Sequence, residues 1–438
     1  MAHKLHIQGA ARDLRNPFTL SAGTDLEHRD AIRSWLAALL GAEHVSLLLG
    51  SGLGVALASA AGTTGLDMSA VTFDGIGPKA TTAIDKHATA TAASARRGRP
   101  NIEDQLRAAI QLLEGARVLD PEARLTTSLA TSLDATLSSF AGACLDMERE
   151  LRDAYEAESE GGIAAMDLLV SLLLAFAGRP PTRDRVNLFT TNYDRLIEYG
   201  ADLAGLRVLD RFVGGIEPIF RSSRLDVDLH YNPPGIRGEP RFLEGVLRLF
   251  KLHGSLDWRF DGTHLRRAPL AFGGTDPSLA KDALSRLMIY PNAAKDVETL
   301  QYPYAELFRD LAASLCRPNS VLFTYGYGFG DEHINRIIRD MLTLSSTHLA
   351  VISFDDAEGR IPTFLAGRPP AQYTLLQGKY FGALDVLVRE HLPQLGSDPA
   401  LARQVQRQKA LGGAPSGDTT PDRDEGNEDE APGDEGSQ

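Results

Sequence analysis

The sequence predicts an α/β protein with a doubly wound parallel sheet that is split by a helical insert. Three observations lead to this fold class. Short apolar segments of strand length recur along the chain, and helical patterns separate several of them. Each apolar segment ends in glycine, asparagine, histidine or aspartate. Ligands of open parallel sheets bind beyond the carboxyl ends of the strands, so these polar ends predict a site at one edge of the sheet. The segments lie at residues 45–49, 186–191, 247–252, 320–325 and 348–354.

The first elements are a helical segment and a strand–turn–helix unit. Residues 1–44 read as a polar lead-in followed by an amphipathic helix at 25–40. Residues 45–66 carry no charge and approach the length of a membrane span. Their glycine, alanine, serine and threonine content favours a strand, a glycine turn and a helix of small residues instead. We therefore expect no membrane segment here.

We predict a helical insert at residues 63–185, because strand patterns largely disappear between these positions. Asn101 is placed to cap a helix in which apolar side chains repeat every 3.6 residues. The small-residue stretch 82–97 fits either a loop or a loose helix. Further helical patterns lie at residues 125–137, 144–155 and 163–177.

The sheet domain is expected at residues 45–62 and 186–395, followed by a C-terminal extension at 396–438. From residue 412 onward the chain has nine acidic residues and one arginine, among glycine, proline, serine and threonine. Such a segment has too little apolar surface to form a packed core, so we predict a disordered acidic tail. The rest of the chain is only mildly acidic, and strong nucleic-acid binding is not expected.

Cysteine and histidine usage argues against a metal site of a familiar kind. Cys144 and Cys316 are far apart and form no C-x-x-C pair, which excludes a zinc ribbon and suits a reducing compartment. No H-E-x-x-H and no close second histidine accompany the histidines, so no metal is predicted. The N-terminal residues lack the pattern of a signal peptide, and a cytoplasmic location is expected.

The turn Gly50-Ser51-Gly52-Leu53-Gly54 follows a strand and precedes a helix, where a phosphate could be held. Glycines let the backbone approach a pyrophosphate, and a helix N-terminus offers free N–H groups. The turn is not a P-loop, and Val55 breaks the G-x-G-x-x-G pattern. Taken alone, it fits an ordinary tight turn as well as a nucleotide site.

Two further strand ends carry groups able to act in catalysis. Thr190-Thr191-Asn192-Tyr193-Asp194 ends one strand, and His253-Gly254-Ser255 ends another. Asn192 and Asp194 also suit a turn in which they bond their own backbone, and a lone histidine is often structural. Asp331, Glu332 and His333 either belong to the same site or only charge the start of the next helix.

Together these strings resemble the sirtuin superfamily. The strings F-T-T-N-Y-D, K-L-H-G-S-L-D-W and G-Y-G-F-G-D-E-H-I at residues 189–194, 251–258 and 326–334 resemble a narrower branch. That branch is the sirtuin-like NAD hydrolases of bacterial antiphage defence, which work with a HerA-type ATPase. The resemblance covers residues 45–62 and 186–385. It implies a Rossmann-like, sirtuin-type sheet and an enzyme that cleaves NAD to nicotinamide and ADP-ribose.

The resemblance also implies roles for individual residues. Asn192 would hold the nicotinamide ribose and orient water, Asp194 would hold the carboxamide, and His253 would act as general base. These three are the predicted catalytic residues. NAD-binding positions implied in the same way are Gly50, Ser51, Gly52, Thr191, Gly326, Tyr327, Phe329, Ser353, Tyr380 and Phe381. NAD is the substrate in this scheme, and no metal is implied.

The departures from sirtuin deacylases narrow the expected activity. The zinc ribbon is absent, Gly54 replaces a serine of the glycine loop, and Asn192 and His253 are 61 residues apart by their numbering. These differences weaken acyl-lysine binding and leave NAD cleavage intact. A non-catalytic NAD or ADP-ribose sensor, an ADP-ribosyl transferase and a deacylase remain alternatives. Homo-oligomers and a HerA-type hexameric ATPase are the implied protein partners.

Overall fold

The computed structural model describes residues 3–7, 10–14, 22–94, 98–180, 182–223, 228–231, 241–275, 287–289 and 302–393. The C-terminal extension and its acidic tail lie outside the described residues.

The predicted α/β fold class is confirmed by a mostly parallel sheet flanked by helices. In chain order the strands are β1 His3–Ile7, β2 Ala10–Leu14, β3 His44–Leu49, β4 Asn187–Thr190, β5 Arg207–Leu209, β6 Phe212–Val213, β7 Ile219–Phe220, β8 His230–Tyr231, β9 Arg241–Phe242, β10 Val246–Lys251, β11 Gly254–Phe260, β12 Leu265–Arg267, β13 Leu287–Ile289, β14 Ser320–Tyr325, β15 His348–Ser353 and β16 Tyr373–Gln377. The α-helices are α1 Ala22–Leu40, α2 Gly52–Ala61, α3 Pro78–Ser94, α4 Ile102–Leu119, α5 Arg124–Glu156, α6 Glu160–Ala177, α7 Leu196–Leu203, α8 Tyr304–Leu315, α9 Glu332–Met341, α10 Arg360–Leu365 and α11 Leu384–Val386.

Over the described residues the main sheet has the order β2-β1-β16-β15-β14-β3-β4-β10-β5. The seven strands from β16 to β5 are parallel to their neighbours. The chain moves from β3 to β4 and β10 on one side, and later returns to β14, β15 and β16 on the other. The order therefore reverses between β3 and β14. A parallel sheet of this kind binds its ligand at that point, beyond the strand ends.

Side chains of the central strands alternate between two hydrophobic cores, one on each face of the sheet. Leu47 and Leu49 of β3 pack with α1, α2, α6 and α7, whereas Leu48 packs with α8, α9 and α10. In β14, Phe323 faces the first core and Leu322 the second. Burial on both faces explains why these strands read as continuous apolar runs in the sequence.

The N-terminal segment differs from the predicted polar lead-in and helix. Helix α1 is present, but β1 pairs antiparallel with β16, and β2 pairs antiparallel with β1 at the edge of the sheet. The described residues before β3 thus form a strand pair and a helix. The short length of β1 and its pairing with a strand more than 360 residues later left no local signal for it.

The segment between β3 and β4 is helical, as predicted, and its helices are longer than the sequence indicated. Residues 82–97 belong largely to α3, and the patterns at 125–137 and 144–155 join into the single helix α5. Asn101 caps α4 through a capping box with Asp104. The buried apolar side chains of α3, α4 and α5 form a third hydrophobic core, which also includes Tyr193 and Leu256 of the sheet domain.

A second sheet was not predicted. It has the order β13-β11-β12-β7-β6, and each strand is antiparallel to its neighbours. Its strand β11 begins at Gly254, directly after His253. Among the described residues one helix, α6, is long and apolar enough to cross a membrane by length and composition. Its Leu168, Leu172 and Leu173 are buried in the first core, as expected of a core helix.

Candidate functional site

Two glycine turns meet backbone to backbone where the strand order reverses. The N–H of Gly52 donates a hydrogen bond of 3.1 Å to the carbonyl of Gly326. A Cβ atom on Gly52 would lie 2.5 Å from the Cα of Gly326, and Gly326 itself has φ +63°. Glycine is required at Gly52 because a Cβ atom has no space there, and at Gly326 because neither the space nor the backbone angle suits a side chain. The start of α2 therefore lies open beside β14, with Ser51 exposed to solvent.

The turn after β4 is held by Thr190. Its hydroxyl donates to the carbonyl of Leu49 (2.9 Å) and accepts from the N–H of Asn192 (3.0 Å), and the N–H of Thr191 donates to Leu49 (3.3 Å). These bonds fix Asn192 against the end of β3. Its side chain is 7 % exposed, and within the described part of the chain its buried Nδ2 has no hydrogen-bond partner. A buried amide in this condition costs free energy, which is a feature of binding sites.

His253 lies beside this turn because β10 is the parallel neighbour of β4. Thr190 and Lys251 are register partners, so Asn192 and His253 each follow that pair by two residues. The His253 side chain is 6 % exposed, and its ring centre is 6.4 Å from that of Tyr193. The structure thus brings together two predicted residues that are 61 positions apart in the sequence.

Asp194 belongs to the same turn, and it is buried. Its Oδ1 accepts a hydrogen bond of 3.2 Å from the N–H of Leu196. Burial raises the pKa of Asp194 to about 6, and the nearby ammonium of Lys251 limits the rise. Lys251 donates to the carbonyls of Tyr193 (3.3 Å) and Asp194 (2.5 Å) and to Glu198 (3.1 Å). Lys251 therefore holds the turn through its backbone, a role that the sequence did not reveal.

Asp331 and His333, for which two roles were left open, both lie close to His253. Asp331 occupies the N-cap of α9, yet its side chain makes no capping hydrogen bond. Its Oδ2 instead lies 4.0 Å from Nε2 of His253. His333, 7 % exposed, has its ring centre 6.0 Å from that of His253. Both residues therefore belong to the same cluster as His253. Glu332, by contrast, is exposed and pairs with Arg339.

Tyr327 and Phe329 follow β14, but their side chains lie in the second core. The Tyr327 hydroxyl donates to Asn335 Oδ1 (3.0 Å), and Asn335 Nδ2 donates to the carbonyl of Phe329 (3.0 Å). The Phe329 ring packs against Phe364 with 4.7 Å between ring centres. These side chains shape the turn from behind, so a ligand beside the strand ends would meet the backbone of this segment.

The predicted adenosine-binding residues lie at the end of the neighbouring strands. Ser353 ends β15 and is 6 % exposed, and its carbonyl accepts from the N–H of Gly378 (3.0 Å). The Tyr380 hydroxyl donates to Glu390 (2.6 Å). Phe381 is 1 % exposed and packs in the first core. The Phe381 side chain thus faces the core in this structure, and its contact with NAD stays a prediction.

The helical insert contacts the turn between β4 and α7 on both sides of Asp194. Glu103 of α4 accepts a hydrogen bond from the Tyr193 hydroxyl (2.9 Å), and the Tyr193 ring meets Phe140 edge to face. Glu148 of α5 pairs with Arg195, and both side chains are buried. Neither acid was singled out from the sequence, because each lies within an ordinary amphipathic helical pattern. The insert therefore supports the turn that carries the site.

Comparison with known proteins bears on the same segment. Residues 186–368 match the family model of the SIR2-like domain. No curated protein matches the chain. The matched residues include the turns that carry Asn192, His253 and Asp331, whereas the glycine turn at Gly50–Gly54 precedes them. SIR2-like domains use NAD, so the match points broadly to an NAD-dependent enzyme. The match of residues 186–368, about two fifths of the chain, supports the sirtuin-like family.

Proposed function

We propose that the protein hydrolyses NAD to nicotinamide and ADP-ribose at the edge of the sheet where Asn192 and His253 meet. The single observation that carries this proposal is the buried Asn192 amide, whose Nδ2 has no partner within the described residues. It lies at the carboxyl end of a parallel strand, beside a histidine. A donor kept dry and unpaired in that place is suited to a bound ribose or to an attacking water.

The groups present suit this reaction better than one that needs a strong nucleophile. The C1′–N bond of the nicotinamide ribose breaks, and its electron pair leaves with nicotinamide, which becomes neutral. A water oxygen forms the new bond to C1′, and its proton passes to His253 and then to solvent. Asn192 orients the water and the ribose, and His253 accepts the proton because its ordinary pKa is near neutrality.

The sheet edge also offers surfaces for the rest of the dinucleotide. The N-terminus of α2 lies at the Gly52–Gly326 contact, and its positive potential suits the pyrophosphate; the N–H groups of Gly52 and Leu53 already bond to the carbonyls of Gly326 and Gly50. Asp194 lies behind Asn192, where it would hold the carboxamide, and Ser353 lies at the end of β15 for the adenosine ribose. These assignments rest on the sequence resemblance together with the positions of the strand ends.

The experiment is a measurement of nicotinamide release from NAD by the purified full-length protein. We expect Asn192→Ala and His253→Ala to lose turnover by a factor of at least about 100, since each removes a positioned group. His87→Ala, which removes an exposed histidine from α3, is the matched control and should keep full activity. NAD binding without release in wild type would instead favour the sensor.

We further propose that such a hydrolase serves as an NAD-depleting effector in antiviral defence. The support is the resemblance to the branch that works with a HerA-type ATPase, and the chemistry itself. Unrestrained cleavage would empty the cell of NAD, so a partner or an assembly must restrain it. Release should therefore be measured with and without a HerA-type ATPase, at several protein concentrations. Full activity of an isolated monomer would contradict this regulation.

A further inference from the structure

Three potential metal ligands lie close together beyond the carboxyl ends of the parallel strands. Nitrogen atoms of His253 and His333 and a carboxylate oxygen of Asp331 all lie within 4.8 Å of one another. They come from two places in the fold, the end of β10 and the first turn of α9. The two histidines are 80 residues apart by numbering, so no local spacing in the sequence could indicate the cluster.

We propose that His253, Asp331 and His333 bind a divalent transition-metal ion, with zinc the best-suited member of the class. Two imidazoles and one carboxylate form a donor set that zinc and neighbouring first-row ions favour over magnesium and calcium. Three protein ligands leave further coordination positions free for water. One carboxylate gives the cluster a single negative charge, so a bound divalent ion would leave the site positive.

The distances fit a site that closes around an ion. Ligand atoms about 2.0–2.1 Å from a tetrahedral metal are about 3.4 Å from each other. Nε2 of His253 and Oδ2 of Asp331 are 4.0 Å apart, too far for a hydrogen bond between them. A movement of about 0.6 Å would bring this pair to the tetrahedral separation. Asp331 can supply it, because its side chain is 19 % exposed.

The surrounding side chains hold the two imidazoles in place. The Phe308 ring contacts His333 edge to face, with ring centres 4.8 Å apart, and Tyr193 packs near His253. Both histidines are less than 8 % exposed. Such packing restricts ring rotation and lowers the entropic cost of binding an ion, which is how supporting residues usually assist a metal site.

The consequence concerns the reaction and rests on the proposed function. A metal ion bound to His253 occupies the nitrogen lone pair that proton transfer requires. The same ion would therefore hold the hydrolase inactive, and its removal would restore activity. The cluster is thus a metal-binding brake on NAD cleavage, built from the proposed general base and two neighbouring residues.

Binding is tested with Co²⁺ as a spectroscopic probe on the full-length protein after treatment with a chelator. We expect one equivalent to bind, with the visible absorption of nitrogen- and oxygen-ligated cobalt and a raised melting temperature. Asp331→Asn, which keeps the shape of the side chain, and His333→Ala should each weaken binding by more than about tenfold. His87→Ala should bind as wild type does.

Equal Co²⁺ affinity in all four proteins, or no visible band in wild type, would overturn the metal site. Circular dichroism verifies folding, and if His333→Ala does not fold, Asp331→Asn decides the question. Nicotinamide release is then measured with Zn²⁺ and after chelation. Inhibition of wild type that the chelator reverses supports the brake, whereas full activity with the site filled overturns it. Cobalt binding in a protein that never releases nicotinamide supports the metal site and overturns only the proposed hydrolase.

Discussion

Glu148 of the helical insert binds both the backbone and the side chain of Arg195. Its Oε1 accepts from the Arg195 N–H at 2.7 Å, and its Oε2 accepts from Nη2 at 2.5 Å. Arg195 also donates to the carbonyls of Leu270 and Ala271. Because Arg195 directly follows Asp194, this pair connects α5, the turn after β4 and the segment after β12. The position of the insert thus helps to fix the position of the site.

Glu148→Ala should lower the free energy of unfolding by about 3–5 kcal/mol, because it leaves the buried Arg195 guanidinium without its carboxylate. Urea unfolding monitored by circular dichroism measures the loss. Glu114→Ala is the matched control, since Glu114 pairs with Arg117 on the exposed surface of α4 and should change stability by less than about 1 kcal/mol. Similar small losses in both variants would show that the buried pair does not hold the turn.

The sequence was sufficient to predict five strands of the main sheet, because β3, β4, β10, β14 and β15 are apolar runs with polar ends. It did not predict β1, β2, β5, β16 and the second sheet. These strands are short and pair with strands far away in the sequence, as β1 does with β16, so the local sequence gives no signal of the pairing. Strands of two residues, such as β6 and β7, are too short to show a periodic pattern in the sequence.

The residues of the candidate site likewise fall into those that the sequence indicated and those that it did not. The roles of Asn192 and His253 were implied by the sequence resemblance, and their positions after two strands were consistent with it, because parallel strands end at one edge of a sheet. Lys251 and Glu148 were missed because their importance lies in what they contact, which only the fold determines. Phe381 was placed among the NAD-binding residues by a resemblance, and its side chain packs in a core, as aromatic side chains next to apolar residues commonly do.

The contact between the two glycine turns gives a second prediction. Gly52→Ala should destabilise the protein by about 1–3 kcal/mol, because its Cβ would overlap the backbone of Gly326. Thermal and urea unfolding measure the change. Gly115→Ala is the control, since nothing lies within 4 Å of its added Cβ in the middle of α4. There we expect a gain of about 0.5–1 kcal/mol from helix propensity.

Destabilisation of Gly52→Ala should be accompanied by weaker NAD binding if the turn holds the pyrophosphate. Isothermal titration of NAD into both variants separates the two effects. A Gly52→Ala protein with normal stability and normal NAD affinity would contradict the close approach seen between Gly52 and Gly326.

Tyr193→Phe isolates the hydrogen bond between the insert and the turn. The substitution keeps the ring contacts with Phe140 and His253 and removes the hydroxyl that donates to Glu103. We expect a loss of about 1.5 kcal/mol, the lower end of the range for a hydrogen bond to a charged acceptor, because Glu103 is partly exposed. Urea unfolding should show that Glu103→Gln loses less free energy of unfolding than Tyr193→Phe does, since a neutral acceptor remains. Equal stability of wild type and Tyr193→Phe would contradict a stabilising hydrogen bond between Tyr193 and Glu103.

Asp194 gives a prediction about pH. Its pKa is about 6 in the folded protein, above the value of 3.8 for an unperturbed aspartate. Between these two values the folded state keeps a proton that the unfolded state has released, so this group favours folding at low pH. That contribution is lost as the pH rises from about 4 to about 6, and above this window the buried carboxylate opposes folding.

Asp194→Asn should therefore gain stability relative to wild type as the pH is raised from 4.5 to 7.5. The asparagine keeps an oxygen that can accept from the Leu196 N–H, so the comparison isolates the charge. Urea unfolding at both pH values gives the two differences in the free energy of unfolding. Asp167→Asn, on the exposed face of α6, is the control and should show nearly the same small difference at each pH. A difference for Asp194→Asn that does not grow with pH would mean that burial does not raise the pKa of Asp194.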